Sequence, residues 1–476
     1  MKKLLIVFFC LVGFFVEAQP PSKFYTRIGG NGYDYGYDIK QTLDGGYIIT
    51  GSTSSFGKGN TDVYLLKIDS MGQVNFQTSF GGYNNESGKA VVQLVDSSYV
   101  IAGYTSSLGF GGYDIYVIKA DKTGALIWQK TFGQAEWDFC NTMQATADGG
   151  FILAGSTNSF GYGQADGYVI KIDANGTEQW HKNFGGLEND EFKSVIQTAD
   201  GGYLLAGQTK SYNDLNGDAW LFKLDVNGDS LWSKYYGGTK EDYATQIIEH
   251  SNGDLFFSGA TQSFGVGKFD GYVVRTSNNG NLIIQSTDGF AGTDDYFYSI
   301  TISKRNPNII TVLENEIFSG FKLQTKILEI NENLSYLNAT EYGSTLNDEL
   351  YKIFPTTDKG YVMTGYTEGY DAMLADCYIV KCDSTLLGLQ SMVSVNEFAI
   401  NEFDLKLYPN PVKNKLMIVL NNDIAIKEIS VSDVYGKNYN LDKKHFDNKI
   451  EINTTDLAEG IYFIRINNVV RKIIKN

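Results

Sequence analysis

The chain has 476 residues, more than one compact domain usually holds unless it is all-β or built from repeats. Its 52 glycines, 14% aromatic residues and only six prolines point to short strands joined by glycine turns, and 42% hydrophobic content argues against long disordered tracts. Of the formal −16, residues 1–18 carry +1 and residues 403–476 carry +3, so the body between them holds about −20, a charge that repels nucleic acid and anionic lipid and attracts cations or basic partners.

At the N-terminus, Lys2 and Lys3 precede an apolar run from Leu4 to Val16 that is too short to span a bilayer. Val16-Glu17-Ala18 fits cleavage after a small residue, which predicts a signal peptide over 1–18 and Gln19 as the mature N-terminus. Cys10 follows Phe9 where a lipoprotein needs a small residue, so no lipid anchor is expected. No other segment is long and apolar enough to be a membrane helix. Three cysteines then remain, Cys140, Cys377 and Cys382, too few and too odd for a disulfide framework. Cys377 and Cys382 share a predicted strand on opposite faces, so both are expected to be small buried residues.

Residues 19–390 repeat. Ile28-Gly29, Phe80-Gly81, Phe132-Gly133, Phe184-Gly185 and Tyr236-Gly237 follow at steps of 52, then Phe290 at 54 and Tyr342-Gly343 at 52, making seven units. A turn recurs at Asp44-Gly45-Gly46, Asp148-Gly149-Gly150, Asp200-Gly201-Gly202 and Asp358-Lys359-Gly360. Lys67-Ile68-Asp69, Lys171-Ile172-Asp173 and Lys223-Leu224-Asp225 recur in step, and Phe76, Trp128, Trp180 and Trp232 close their units. The sixth unit is the most eroded. In residues 148–200 the pattern predicts strands at 150–157, 167–173, 179–184 and 191–198, joined alternately by tight glycine hairpins and longer loops.

Four antiparallel strands per unit without helices predict an all-β, seven-bladed propeller. A lone blade cannot bury both faces, and a closed ring leaves none uncovered. The seventh unit lacks its last strand, and Phe24 stands four residues before Ile28 as Trp128 stands before Phe132. The N-terminal segment is therefore predicted to complete the last blade.

Units of the form Trp-x-Lys-x-Phe-Gly-Gly and Asp-Gly-Gly-Tyr resemble the glycine-rich β-propeller repeat proteins of bacteria and archaea over about residues 23–390, a likeness that implies fold and no general activity. The Asp121–Trp128 segment also looks like the tryptophan motif of quinoprotein blades, but the cysteines and metal site of those enzymes are missing, so the likeness is read as structural.

After an expected linker at 391–402, residues 403–476 leave the repeat and predict a small β-sandwich with strands at 415–420, 426–433, 449–452 and 460–467. Tyr408-Pro409-Asn410-Pro411, Val434-Tyr435-Gly436-Lys437, the segment from Leu457 through Gly460 to Tyr462, and basic Arg471-Lys472 resemble the type A sorting domain of the type IX secretion system. That resemblance implies a secreted protein at the extracellular face of the outer membrane, with the type IX machinery as a partner.

Three residue sets repeat beside the longer loops. One is Asp34, Glu86, Asp138, Asp190, Asp242 and Asp348, with Tyr296 at the sixth position beside Asp294 and Asp295. A second is Asp62, Asp114, Asp166, Asp218, Asp270 and Asp376, with Gln324 in the sixth unit, and a third includes Phe56, Phe160 and Phe264. The longer loops share one face of the disc, which is read as the binding face, suited to glycan or Ca²⁺-assisted contacts. A carboxylate in every blade more often fastens loop amides than binds a ligand. Asp225–Asp229 faintly resembles a calcium loop but lacks its glutamate. The three histidines, His181, His250 and His445, are isolated, and no nucleophile elbow, phosphate loop or metal-ligand spacing appears. No cofactor is firmly implied, Ca²⁺ being the candidate. The expected protein is a monomeric binding or adhesion module for glycan or protein, or alternatively a carbohydrate hydrolase using a carboxylate pair on the long-loop face.

Overall fold

The computed structural model describes residues 23–213, 215–318, 322–344, 346–370, 372, 374–386, 405–408, 412–420, 429–433, 437–439, 441–446, 449–458, 460–466 and 469–475. The predicted signal peptide and linker, and Pro409, Asn410, Pro411 and Gly436 of the sorting motif, lie outside these residues. Every regular element among the described residues is a strand.

The chain divides into two units, 1–390 and 391–476. In the first, seven four-stranded antiparallel sheets follow one another. Blade 1 runs through Asp34–Gln41, Tyr47–Thr53, Asp62–Ile68 and Val74–Phe80. The inner strands of blades 2 to 7 are Glu86–Gln93, Asp138–Ala145, Asp190–Gln197, Asp242–Glu249, Asp295–Ile302 and Asp348–Pro355. Each inner strand lies beside those of its two neighbours, and the last lies beside the first, so the ring is closed. The strand predicted at 191–198 therefore opens blade 4, because the sheet boundary falls in the loop after Phe184.

Both middle strands of blade 1 are buried along their whole length, whereas the outer strand is exposed or half-buried up to its last residue, Phe80. That follows from blades covering each other on both faces. The hydrophobic clusters confirm it, since each is shared by two blades: Ile48 and Val63 of blade 1 pack with Val91 and Ile101 of blade 2, and Ile39 and Ile49 pack with Val362 and Ile379 of blade 7. No blade has a core of its own.

Blade 7 takes its outer strand from the N-terminus. Phe24–Ile28 pairs antiparallel with Asp376–Cys382, from Phe24 opposite Lys381 to Ile28 opposite Cys377. Phe24 is buried, its ring 6.0 Å from that of Tyr47 in blade 1.

One sequence landmark shifts. In blade 5 the residue that pairs as Tyr236 does in blade 4 is the partner of Gly271, Asp288. The repeat therefore continues at Asp288-Gly289, 52 after Tyr236, and Phe290 lies in the following loop; the position expected for Tyr296 belongs to Asp295, which opens the inner strand.

Cys140, Cys377 and Cys382 are free and buried, and burial pushes their thiols up to about 12, 12 and 11.

In the C-terminal unit, Leu405–Tyr408, Lys415–Leu420, Lys449–Asn453 and Lys443–Phe446 form one sheet in that order. Asn438–Tyr439, Ile429–Asp433, Gly460–Ile466 and Val469–Lys475 form the other. Leu416, Ile418, Ile450 and Ile452 of the first meet Val431, Tyr462, Ile464 and Ile473 of the second in one core. Gly460 opens its strand at the surface.

Candidate functional site

The repeated carboxylates sit where the longer loops begin and end, and all are nearly fully buried. Asp34 accepts hydrogen bonds from Thr53 Oγ1 at 2.5 Å, Ser55 Oγ at 2.6 Å and the Gly30 amide at 2.9 Å. Glu86 takes the Thr105 hydroxyl and the Gly82 amide, Asp138 takes Thr157, Ser159 and the Gln134 amide, and Asp190 takes Thr209, Ser211 and the Gly186 amide. Asp242 accepts from Ser263 and Gly238, and Asp348 from the Ser344 amide. In the second set, Asp62 accepts from the amides of Lys58 and Gly59, Asp114 from Phe110, Asp166 from Tyr162, and Asp270 from Gly267. Asp218 accepts from Asn213 Nδ2, and Asp376 is bonded by Arg27. These contacts hold each loop in shape; none of the carboxylates offers its face to solvent.

The loop aromatics are half-buried on their own blades. Phe56 stacks on Tyr64 at 5.9 Å, Phe160 on Tyr168 at 5.4 Å, and Phe264 packs on Tyr272 at 5.9 Å. Asp225 accepts from the amides of Asn227 and Asp229, as the hairpin aspartates Asp69 and Asp173 do in their turns.

What sequence reading missed lies on the inner strands. There the chain alternates buried residues with partly exposed ones that face the ring axis, and a bulge after the third residue turns one more side chain the same way. The bulged residues form a ring of seven: Tyr37, Lys89, Asn141, Lys193, Thr245, Tyr298 and Tyr351. Unlike the loop carboxylates, this ring is lopsided. Tyr298, Tyr351 and Tyr37 touch in series, at 5.6 and 5.4 Å, while the opposite arc is polar. Above the tyrosines, toward the longer loops, the aromatic surface continues through Tyr35 and Tyr366 on one side and Tyr296, Phe269 and Tyr243 on the other. Across the mouth, Tyr104, Tyr113, Trp137 and Phe139 form a second group, with Trp137 54% exposed.

Charged groups are set among these rings. Lys89 Nζ stands 3.6 Å from the centre of the Tyr37 ring, and Lys89 makes no ion pair among the described residues. Burial pulls its ammonium down to about 8. Lys193 lies over Tyr243 at 4.4 Å and pairs with Glu191 at 3.0 Å. Lys352, also pulled down to about 8 by burial, reaches from blade 7 to Gln246 of blade 5 at 2.9 Å. Glu349 accepts the Tyr351 hydroxyl at 2.7 Å, and burial raises its carboxyl above the usual range. The only available signal was the variation itself, since these positions change from unit to unit while the loop positions repeat.

Blade 6 departs from the others in a second place. Where blade 1 pairs Gly51 with Tyr64 and ends its strand with Thr53, blade 6 pairs Glu314 with Lys326 and has Glu316. Lys326 Nζ meets Glu314 and Glu316 at 2.7 Å and Asp288 at 3.0 Å. Burial pushes Glu314 up to about 8.

Residues 406–476 match the family described as the secretion system C-terminal sorting domain. Over 204 residues the chain is 27% identical to the regulatory protein FlaEY of Caulobacter vibrioides, a match covering 37% of this chain and 21% of that protein. Among solved structures, the WD40 domain of Neurospora crassa Pan2 aligns with a TM-score of 0.47 and 13% identity, over 75% of this chain and 95% of that one. The polysaccharide lyase Uly1 aligns with a TM-score of 0.46 and 12% identity, over 77% and 96%. The sorting domain marks this chain for export and attachment at the cell surface. No helix among the described residues is long and apolar enough to cross a membrane.

Proposed function

We propose that the exported propeller is a glycan-binding module whose site is the axial mouth on the long-loop side, and that it prefers sugars carrying a carboxylate. The supporting observation is the Lys89 ammonium, held over the Tyr37 ring at 3.6 Å without an anionic partner among the described residues. Tyrosine and tryptophan faces stack on the apolar face of a pyranose, and an ammonium beside them suits a uronate. Ligand sites need only a few convergent polar groups in an aromatic setting, and this is where the ring abandons its symmetry.

A panel of neutral and uronate-containing oligosaccharides tests the reading. Wild-type protein should bind uronate-containing members, and Trp137→Ala and Lys89→Met should each weaken binding about tenfold, roughly 1.4 kcal/mol, without a change in melting temperature. Because Lys89 loses its proton near pH 8, affinity should fall as pH rises from 7 to 9 in wild type and stay flat in Lys89→Met. Unchanged affinity in both variants would remove the axial site. Glu349 carries the competing hydrolase reading through its raised carboxyl and its bond from Tyr351. Product release by wild type, abolished by Glu349→Gln, would replace the binding module with an enzyme.

A further inference from the structure

The axial site has depth as well as a mouth. Inner strands run from the longer loops toward the tight turns, so residues later in a strand lie deeper along the axis. In blade 1, Tyr33, Tyr35 and Tyr37 alternate along the chain and share one face. Their rings follow one another nearly parallel, at 6.3 Å and 1° and then at 6.1 Å and 11°. The ladder leads from Tyr33, 47% exposed, down to Tyr37 and the Lys89 ammonium.

One position beyond Tyr351 comes Lys352. Its ammonium bonds Gln246 Oε1 at 2.9 Å, and a side chain of blade 7 reaches blade 5 only by passing in front of blade 6, inside the ring. That bond uses one of three donors, and Lys352 makes no ion pair among the described residues. The oxygen it meets also receives the Ser299 hydroxyl at 2.7 Å and the Ile300 amide at 3.4 Å, more donors than its two lone pairs serve, so the tie is readily exchanged. Asp38, the acid whose charge reaches Lys352, is already held by Lys40 at 2.9 Å and by the Val91 amide at 3.0 Å. Glu191 is taken by Lys193, and Glu349 by the Tyr351 hydroxyl. Two ammoniums at successive depths thus have no carboxylate partner in a body that is otherwise acidic. Burial disfavours both charges, and an anion brought to them would restore the balance.

We propose that the ligand is a linear chain of acidic sugars that enters end-on along the axis, packing successive residues along Tyr33, Tyr35 and Tyr37 and placing one carboxylate on Lys89 and the next on Lys352. This rests on the reading of the axial mouth as a uronate site and adds to it the direction of entry, a minimum chain length and a second anionic subsite. A single ring and a single ammonium serve one sugar; a ladder with cations at two depths serves a polymer with an acid on each residue.

Galacturonate and mannuronate oligomers of one to four residues, with maltotetraose as the neutral control, test this by calorimetry on the mature full-length chain. Affinity should rise about tenfold from monomer to dimer, the order that one added charge-assisted contact supplies. Lys352→Gln should bring the dimer-to-monomer ratio close to one, Lys352→Arg should preserve it, and Lys89→Met should weaken every length. Tyr33→Ala, at the exposed end of the ladder, should weaken the tetramer about fivefold. A length dependence that survives Lys352→Gln, or equal affinity for monomer and dimer in wild type, would overturn the track and leave the Lys89 site standing. Should Lys352→Gln fail to fold, an unchanged tetramer affinity in Tyr33→Ala overturns it alone. Binding of neither uronate series, or of maltotetraose as tightly, removes the track and the uronate reading together.

Discussion

At Gly185 a side chain has no room, because any Cβ would press on both Asp166 and Asp190. The Phe-Gly-Gly landmark is thus a packing requirement, and the flanking aspartates explain it. Gly149 is different: a methyl there meets nothing within 4 Å, but φ is +83°. We predict that Gly185→Ala costs about 1–3 kcal/mol by overpacking, and Gly149→Ala only about 1 kcal/mol through its left-handed backbone. Urea denaturation of the two variants measures the difference; equal losses would mean that backbone conformation governs both sites.

Between elements, the outer-strand aromatic of one blade and the second hairpin of the next are coupled. A methyl at Gly124 would stand 2.7 Å from the Phe76 ring, at Gly176 2.8 Å from Trp128, and at Gly228 2.8 Å from Trp180. Where the aromatic is lost the glycine is lost too. Blade 5 has Ile284 at the aromatic position and blade 6 has Leu334 at its hairpin; blade 6 has Asn338 and blade 7 has Leu386. Both leucines are buried and both keep a positive φ of 57°. The side chain therefore fills the volume the aromatic vacated, at the expense of an unfavourable backbone. We predict that Ile284→Trp alone destabilises by about 1–3 kcal/mol, and that adding Leu334→Gly restores at least half of it. A double-mutant cycle by thermal denaturation reads the coupling; additive losses would show that the two positions do not compete for one space.

For the molecule as a whole, stability depends on closure, since seven hydrophobic clusters each need two blades. Removing residues 19–28 would leave blade 7 with three strands and expose the edge of Asp376–Cys382. We predict that this truncation unfolds the propeller or makes it aggregate, and that Phe24→Ala in the intact chain costs about 3–5 kcal/mol. Light scattering and thermal melts distinguish these from an ornamental N-terminus, which would leave both variants as stable as wild type. The axial mouth belongs to this scale as well, because its tyrosines come from the inner strands of blades 1, 5, 6 and 7, and only a closed ring brings them together.

The sequence by itself determined the blade count, the strand-and-turn order, the N-terminal closing strand and the export domain, because each rests on local periodicity or on a contiguous motif. Even the eroded unit was legible, although Phe290 stood in for the true landmark at Asp288. It also marked the loop carboxylates, whose repetition records a packing need shared by every blade. Only the tertiary structure decided which residues face the axis. Tyr37, Lys89, Tyr298 and Tyr351 come from strands far apart in the chain, and their side chains are aimed by a bulge that no spacing rule signals. The pairing of Asp114 with Asp138 across Gly133 was hidden for the same reason: charges collide in space, and one-dimensional spacing does not record which side chains the ring turns toward each other.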